Sequence, residues 1–428
     1  MASSLIARPK ITGNFRTSPQ YRTMGFGDTA RILLIGHADG LGVNDPYQVN
    51  DMQEAINLLR ADSTSPLLRG LLEVYNAGAR DIWLVAAAPM EEYVSNIDER
   101  LDLTQDAYLV DGGSPSSYDQ IDIQFDIDAE YPDTLLVDCS TFYEKYHQRL
   151  TATYAMLVDY DFAEIIVPLE ASFGHVGDVD FATQLINFCQ SYMDATNTTP
   201  LAVLGTRRPS TESIADSVNH MISNAATISS SPANKFVTVV IGEGAVSLPQ
   251  LSFTHKSSVA AQVAANMATT TLSRGMSYSP LTNIVNLDIY DYTQAQLDGM
   301  VSAKLNPAIR TYKAKRGAPF QTVLLSDNTL ATDGSDFWSL SQMRVVARCS
   351  NTIRSFGHAW IGSTDYVGFK QAVYDYMSSL LRSNTIKNFT LNIDRDLNDV
   401  NKVIVDVSIT PFYGIRQIYF TVEVGSGV

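Results

Sequence analysis

The chain has 428 residues, 45% of them hydrophobic and 18% charged, with a net charge of −16. That length fits roughly two to four domains or one large fold. Nucleic-acid binding is excluded because it needs clustered Lys and Arg, which are missing, and no stretch approaches the ~20 apolar residues of a membrane span.

Three scattered cysteines, Cys139, Cys189 and Cys349, form neither a disulfide framework nor a zinc pattern. With no basic-then-apolar signal pattern at the start, a reducing cytoplasm is the expected compartment. The negative charge is concentrated: Glu91 to Asp138 holds fourteen acids against Arg100 alone, whereas residues 1–90 balance at eight against eight. Such a run is a solvated face or a segment kept away from packed contacts.

In chain order, residues 1–26 carry Arg8-Pro9, Gly13, Ser18-Pro19 and Gly25, with Leu5, Ile6 and Ile11 among their few apolar positions. Proline and glycine at that density predict an extended arm with at most one short strand, or a disordered tail. The continuous apolar run Ala30–Ile35 predicts a buried strand. Two helices follow, one with Met52, Ala55, Ile56 and Leu59 on a face, the other capped by Ser65-Pro66 and stopped at Gly78. A strand at Asp81–Val85 completes a β-α-α-β unit. Residues 91–138 read as a small β-rich insertion, with strand-like runs at Ala107–Val110 and Ile121–Ile127.

From 139 onward a helix precedes alternating strands and helices. The strands are Ala163–Val167, Leu201–Leu204 and Phe236–Ile241; the helices surround Phe181–Met193, Thr211–Ala226 and the stretch after Ser258. This alternation predicts a parallel sheet covered on both faces. Thr293 and Gln296 form a capping box, and Phe320–Leu325 is a strand. Tyr366–Arg382 is an amphipathic helix, with Phe369, Val373, Tyr376, Leu380 and Leu381 placed on its apolar face. Period-two alternation then marks three strands: one with Phe389, Leu391 and Ile393, one with Val403, Val405, Val407 and Ile409, and one, in the run from Ile415 to Val424, with Ile418, Phe420, Val422 and Val424. The third follows the break Pro411–Gly414. It is either the last strand of the chain's own sheet or a strand given to a neighbouring copy.

Chemistry-bearing motifs are sparse. Gly36-His37-Ala38-Asp39-Gly40-Leu41-Gly42 follows a buried strand but has neither phosphate-loop nor dinucleotide spacing, so a backbone turn is preferred to a nucleotide site. His175, Asp178 and Asp180 lie past a strand end, where a helix-capping loop is preferred to a metal site. Arg207-Arg208 and Lys313, Lys315 and Arg316 read as surface charge. No cofactor is expected.

The chain from 296 onward resembles contractile phage tail sheath proteins and the related injection-system sheaths. The resemblance rests on Leu305-Asn306-Pro307-Ala308-Ile309-Arg310 leading to Arg316-Gly317, on Trp338 leading to Val345-Val346-Ala347-Arg348, and on the order of the C-terminal helix and strands. Upstream, Asn76-Ala77-Gly78-Ala79-Arg80 before Ile82–Val85 is similar too. Leu325–Leu330 departs from the family's "W-G-A-R-T-L", and its paired arginines are reduced to Arg348. The resemblance implies an α/β chain divided as follows: an N-terminal arm at 1–26, an inner β-α-α-β unit at 27–90, the acidic insertion at 91–138, a sheath body at 139–335 and a tube-proximal α+β module at 336–428. It further implies no enzymatic activity, and polymerisation in the host cytoplasm into the sheath of a virion tail. The expected partners are other copies through both arms, the tail tube, and the baseplate and tail terminator proteins. Lys370 and Arg382 are the expected tube-facing residues. The competing expectation is a cytoplasmic nucleotide-binding α/β enzyme using the Gly36–Gly42 or His175 loop.

Overall fold

A computed structural model gives the fold; it describes residues 30–36, 38, 40–59, 65–87, 150–158, 160, 163–174, 179–206, 213–248, 250, 254–281, 284–287, 292–311, 321–332, 335–396 and 402–412. Both arms, the acidic insertion, His175, Asp178, Arg207-Arg208 and the basic run at 313–316 lie outside the described residues.

The first unit runs β1 (Ile32–Gly36), β2 (Tyr47–Gln48), α1 (Met52–Leu59), α2 (Pro66–Asn76) and β3 (Ile82–Ala86). Its apolar strands are buried, with Ile32 through Ile35 at 0% exposure. Ser65 caps α2 by accepting the Leu68 N–H, and Gly78 beyond its end takes φ +105°, a conformation that favours glycine. Gly40 lies hard against α1: a Cβ there would meet the Leu58 carbonyl oxygen at 1.8 Å. That glycine serves the approach of loop to helix.

The body continues through α3 (residues 150–157), β4 (Ile165–Pro168), α4 (Val179–Thr196), β5 (Leu201–Thr206), α5 (Ile214–Thr227) and β6 (Val237–Ile241). Next come β7 (Glu243–Ser247), β8 (Thr254–Ser258), α6 (Ala260–Thr269), β9 (Pro280–Leu281) and β10 (Ile284–Leu287). Then α7 (Gln294–Ser302), β11 (Asn306–Thr311) and β12 (Gln321–Leu324) close it. Thr293 and Gln296 form the predicted capping box at α7.

Among the described residues nine strands form one sheet, in the order β2-β3-β1-β4-β5-β6-β11-β12-β9. The prediction of a parallel sheet holds for its centre: β3, β1, β4, β5, β6 and β11 are parallel, whereas β2 and β12 run antiparallel to them and β9, antiparallel to β12, returns to the central direction. The β11 strand escapes sequence reading because Asn306-Pro307 opens it. Asn306 is fully buried and ties three pieces of backbone: its amide donates to the carbonyls of Val239 and Asn328 at 2.9 and 2.8 Å, and its oxygen accepts the Asn328 N–H. A second, antiparallel sheet, β10-β7-β8, was also unforeseen, because Thr-His-Lys-Ser-Ser in β8 has no apolar alternation.

The C-terminal part is α8 (Leu340–Trp360), α9 (Tyr366–Arg382) and a hairpin of β13 (Ile386–Arg395) and β14 (Val403–Pro411). It carries its own hydrophobic core. No helix among the described residues is long and apolar enough to cross a membrane.

Candidate assembly module

The α8 helix belongs to two cores. Leu340, Met343 and Ala347 pack in the body core, and Val345, Cys349 and Ile353 pack with Phe369, Val373, Met377, Leu380, Ile386 and Ile393 in the second. The predicted apolar face of α9 needs one correction. Leu381 is 40% exposed and Met377 is buried, because at 100° per residue Leu381 falls well away from Phe369, Val373 and Leu380.

A row of polar groups along one side of α8 fastens this module to the body. Arg344 is buried and donates to the carbonyls of Met267 (2.9 Å) and Thr270 (2.6 Å), the last turn of α6, and to Arg274 O (3.4 Å). The first two are acceptors at the end of α6, so the guanidinium acts as their cap. Burial lowers its pKa to about 10, which leaves it charged at neutral pH. Arg348 pairs with Glu164 at 3.0 Å, just before β4. Asn351 accepts the Thr199 N–H at 2.9 Å, Ser350 and Thr199 share a hydroxyl bond of 2.8 Å, and Arg354 reaches Thr198 Oγ1 and Thr196 O. Only Arg348 of this set was singled out from sequence. The signal for the others was three arginines recurring on one side of a helix.

The Ser326–Thr329 segment, where the sequence departs from the family motif, is a buried polar hub. Asp327 accepts from Ser277 Oγ at 2.8 Å, Ser339 Oγ at 3.1 Å and Ser341 Oγ, and its carbonyl accepts the Leu340 N–H at 2.7 Å. It thereby fixes the start of α8 to the body. Between module and body lies a cavity of about 660 Å³, lined by Ala30, Glu164, Arg348, Asp375, Tyr376 and Arg382 among others.

The hairpin pairs from Ile386↔Pro411 to Arg395↔Val403, with a bulge between Ile386 and Asn388. Val403, Val405, Val407 and Ile409 turn half-buried towards the helices, and the alternate residues of β14 are exposed. Among the described residues no third strand joins this sheet. An open edge presents unpaired N–H and C=O groups, which can pair with another chain. The expected tube-facing residues flank the exposed face of α9: Lys370 donates from Nζ to Ile393 O at 3.1 Å, and Arg382 lines the cavity mouth. The expected strand donors, Leu5, Ile6, Ile11, Ile415, Ile418, Phe420, Val422 and Val424, lie outside the described residues.

No protein-family model matches this chain, and no curated protein matches it in sequence. Solved structures do. One is a chain of the anti-feeding prophage baseplate in the contracted state, with TM-score 0.60, 11% identity, and 97% of this chain and 99% of that one covered. A second, from the PVC sheath complex of an extracellular contractile injection system in the contracted state, gives TM-score 0.56 at 11% identity, with 97% and 98% covered. A third is the sheath tail protein of Listeria innocua, at TM-score 0.54 and 12% identity, with 90% and 92% covered. Over nearly its whole length, the chain has the fold of contractile tail sheath proteins.

Proposed function

We propose that the protein is the structural and mechanical subunit of a contractile tail sheath. Many copies polymerise as a helix around a tail tube, then rearrange to a shorter, wider lattice that drives the tube through a cell envelope. The observation that carries this reading is the likeness to sheath structures over almost the entire chain, joined to a small sheet that no third strand joins among the described residues. Residues 415–424, with Ile415, Ile418, Phe420, Val422 and Val424, add to that sheet in another copy, and the N-terminal arm around Leu5, Ile6 and Ile11 does likewise. A heterologous, non-closing contact of this kind generates an open helical assembly.

The other partners are the tail tube, facing α9 between Lys370 and Arg382, and the baseplate and tail terminator at the two ends. Assembly takes place in the bacterial host cytoplasm, and the finished location is the tail of a virion or a phage-derived particle. The role is mechanical, not catalytic. Electron microscopy of the purified full chain tests it: sleeves or tubes are expected. Truncation after Tyr413 gives a folded, single-species monomer that forms none. Equal assembly by the truncated chain would overturn the arm reading.

A further inference from the structure

The chain enters its fold at the seam between body and module, and it is held there from both sides. The Arg31 carbonyl accepts the N–H groups of Glu164 and Ile165 at 3.1 and 2.9 Å, and the Arg31 N–H donates to Glu164 Oε2 at 3.3 Å. The same carboxylate oxygen takes Arg348 of α8 at 3.0 Å. Ala30, one residue earlier, is part of the wall of the cavity of about 660 Å³. The first 29 residues therefore depart from that wall.

Most of the wall is apolar. Ile165, Leu201 and Met267 stand on the body side, and Leu272, Phe356 and Tyr376 on the module side, where they are only partly buried against the second core. Covering such a surface is favourable in proportion to the apolar area removed from water. The sequence just before Ala30 has side chains to do so: Arg22-Thr23-Met24-Gly25-Phe26-Gly27-Asp28. In an extended run Met24 and Phe26 share one side, and Gly25 and Gly27 put no side chain on the other. Arg22 and Asp28 end the same row with opposite charges, and the wall carries one charge of each sign in Asp375 and Arg382. Met24 is six residues from Ala30, a reach of about 20 Å, so covering the cavity closes only a short loop. The other end of the chain leaves close by, for Pro411 pairs with Ile386, next to Thr385 of the wall. Its first apolar side chain, Phe412, is 49% exposed and forms no part of that wall.

We propose that residues 22–28 occupy this cavity in their own chain, with Met24 and Phe26 packed on its apolar wall. The N-terminal arm is thereby rooted in the seam before it continues outward. The root adds a third element to the joint between the two cores, and tension on the arm acts first on that joint. Packing within one chain does not depend on the sheath reading; only the onward course of the arm does.

Two measurements on the full chain test the proposal. In the monomer fraction, Met24→Ser/Phe26→Ser lowers the urea midpoint and raises the fluorescence of added anilinonaphthalenesulfonate, whereas Leu5→Ser/Ile6→Ser changes neither. In a Cys139→Ser background, Phe26→Cys/Ala372→Cys forms a disulfide within one chain on oxidation, and a mixture of the two single variants forms none between chains. An unchanged midpoint together with an unchanged dye signal in Met24→Ser/Phe26→Ser overturns the proposal. Linkage found only between chains assigns the cavity to a second copy, and a stronger link from Ile415→Cys to Ala372→Cys assigns it to the C-terminal end; either overturns it as well. Should Met24→Ser/Phe26→Ser fail to fold, the disulfide alone decides. Failure of the unsubstituted chain to form tubes counts against the sheath reading and leaves these outcomes as they are.

Discussion

Arg348 and Glu164 meet across the seam between module and body, and their bond shows what a single charge does there. Removing one partner takes the ion pair from the other in a largely buried site, a loss of about 3 kcal/mol. Glu164→Gln is therefore expected to lower the denaturation midpoint clearly in a urea titration, more than Arg382→Ala at the exposed end of α9. Arg344 should be more sensitive still, since its loss strands carbonyls at Met267 and Thr270, each worth about 1–3 kcal/mol. The sequence exposed Arg348 through its motif but hid Arg344, Arg354 and Glu164, because charged side chains are ordinarily read as surface. Cysteine chemistry belongs to this scale too. Burial pushes the Cys349 thiol up to about 12 and raises that of Cys189 as well, so both stay protonated at every pH below that range. A thiol reagent at pH 8 is expected to leave both unmodified in the folded chain and to label both in denaturant.

At the scale of elements, periodicity carried most of what was legible. The first and last helices and the central strands follow from apolar spacing and caps, and α9 matches its predicted span from Tyr366 to Arg382. The elements that were missed share a cause. Strands β7, β8 and β11 are held by pairing and by buried amides such as Asn306, not by an apolar face, and no period marks them. Likewise the sequence showed that a hairpin exists but not that its edges differ, since Ile393 O accepts from Tyr366 Oη and Lys370 Nζ of α9. Hydrogen exchange reads this directly. In the monomer, the amides of Thr390, Asn392 and Asp394, which point into the ladder, should exchange more slowly than those of Leu391 and Ile393, which point out. Assembly should erase that difference. A pattern with the opposite parity would refute the phase set by the Asp396 N–H bond to Lys402 O at 2.8 Å.

For the whole molecule, the arrangement is a large sheet body and a small module joined by one helix. Its net charge of −16 comes mostly from residues 91–138. Copies packed in a helix would bring those segments together, and they repel within the ~8 Å screening length of physiological salt unless they sit at the largest radius. Deleting 91–138 is thus expected to leave tube formation intact and to make it less dependent on added salt, as measured by light scattering against ionic strength. A deletion that folds yet cannot polymerise would count against an outer position. The joining helix has a mechanical meaning of its own. With 21 residues it is about 31 Å long, and two of its faces pack into different cores, Leu340, Met343 and Ala347 into the body and Val345, Cys349 and Ile353 into the module. A rod clamped in this way has no slack: tension on the hairpin reaches the sheet body without a linker to absorb it. The stroke of one subunit would then be set by the stiffness of α8 and the grip of its arginines. Loosening either should yield sleeves that assemble but stall under load.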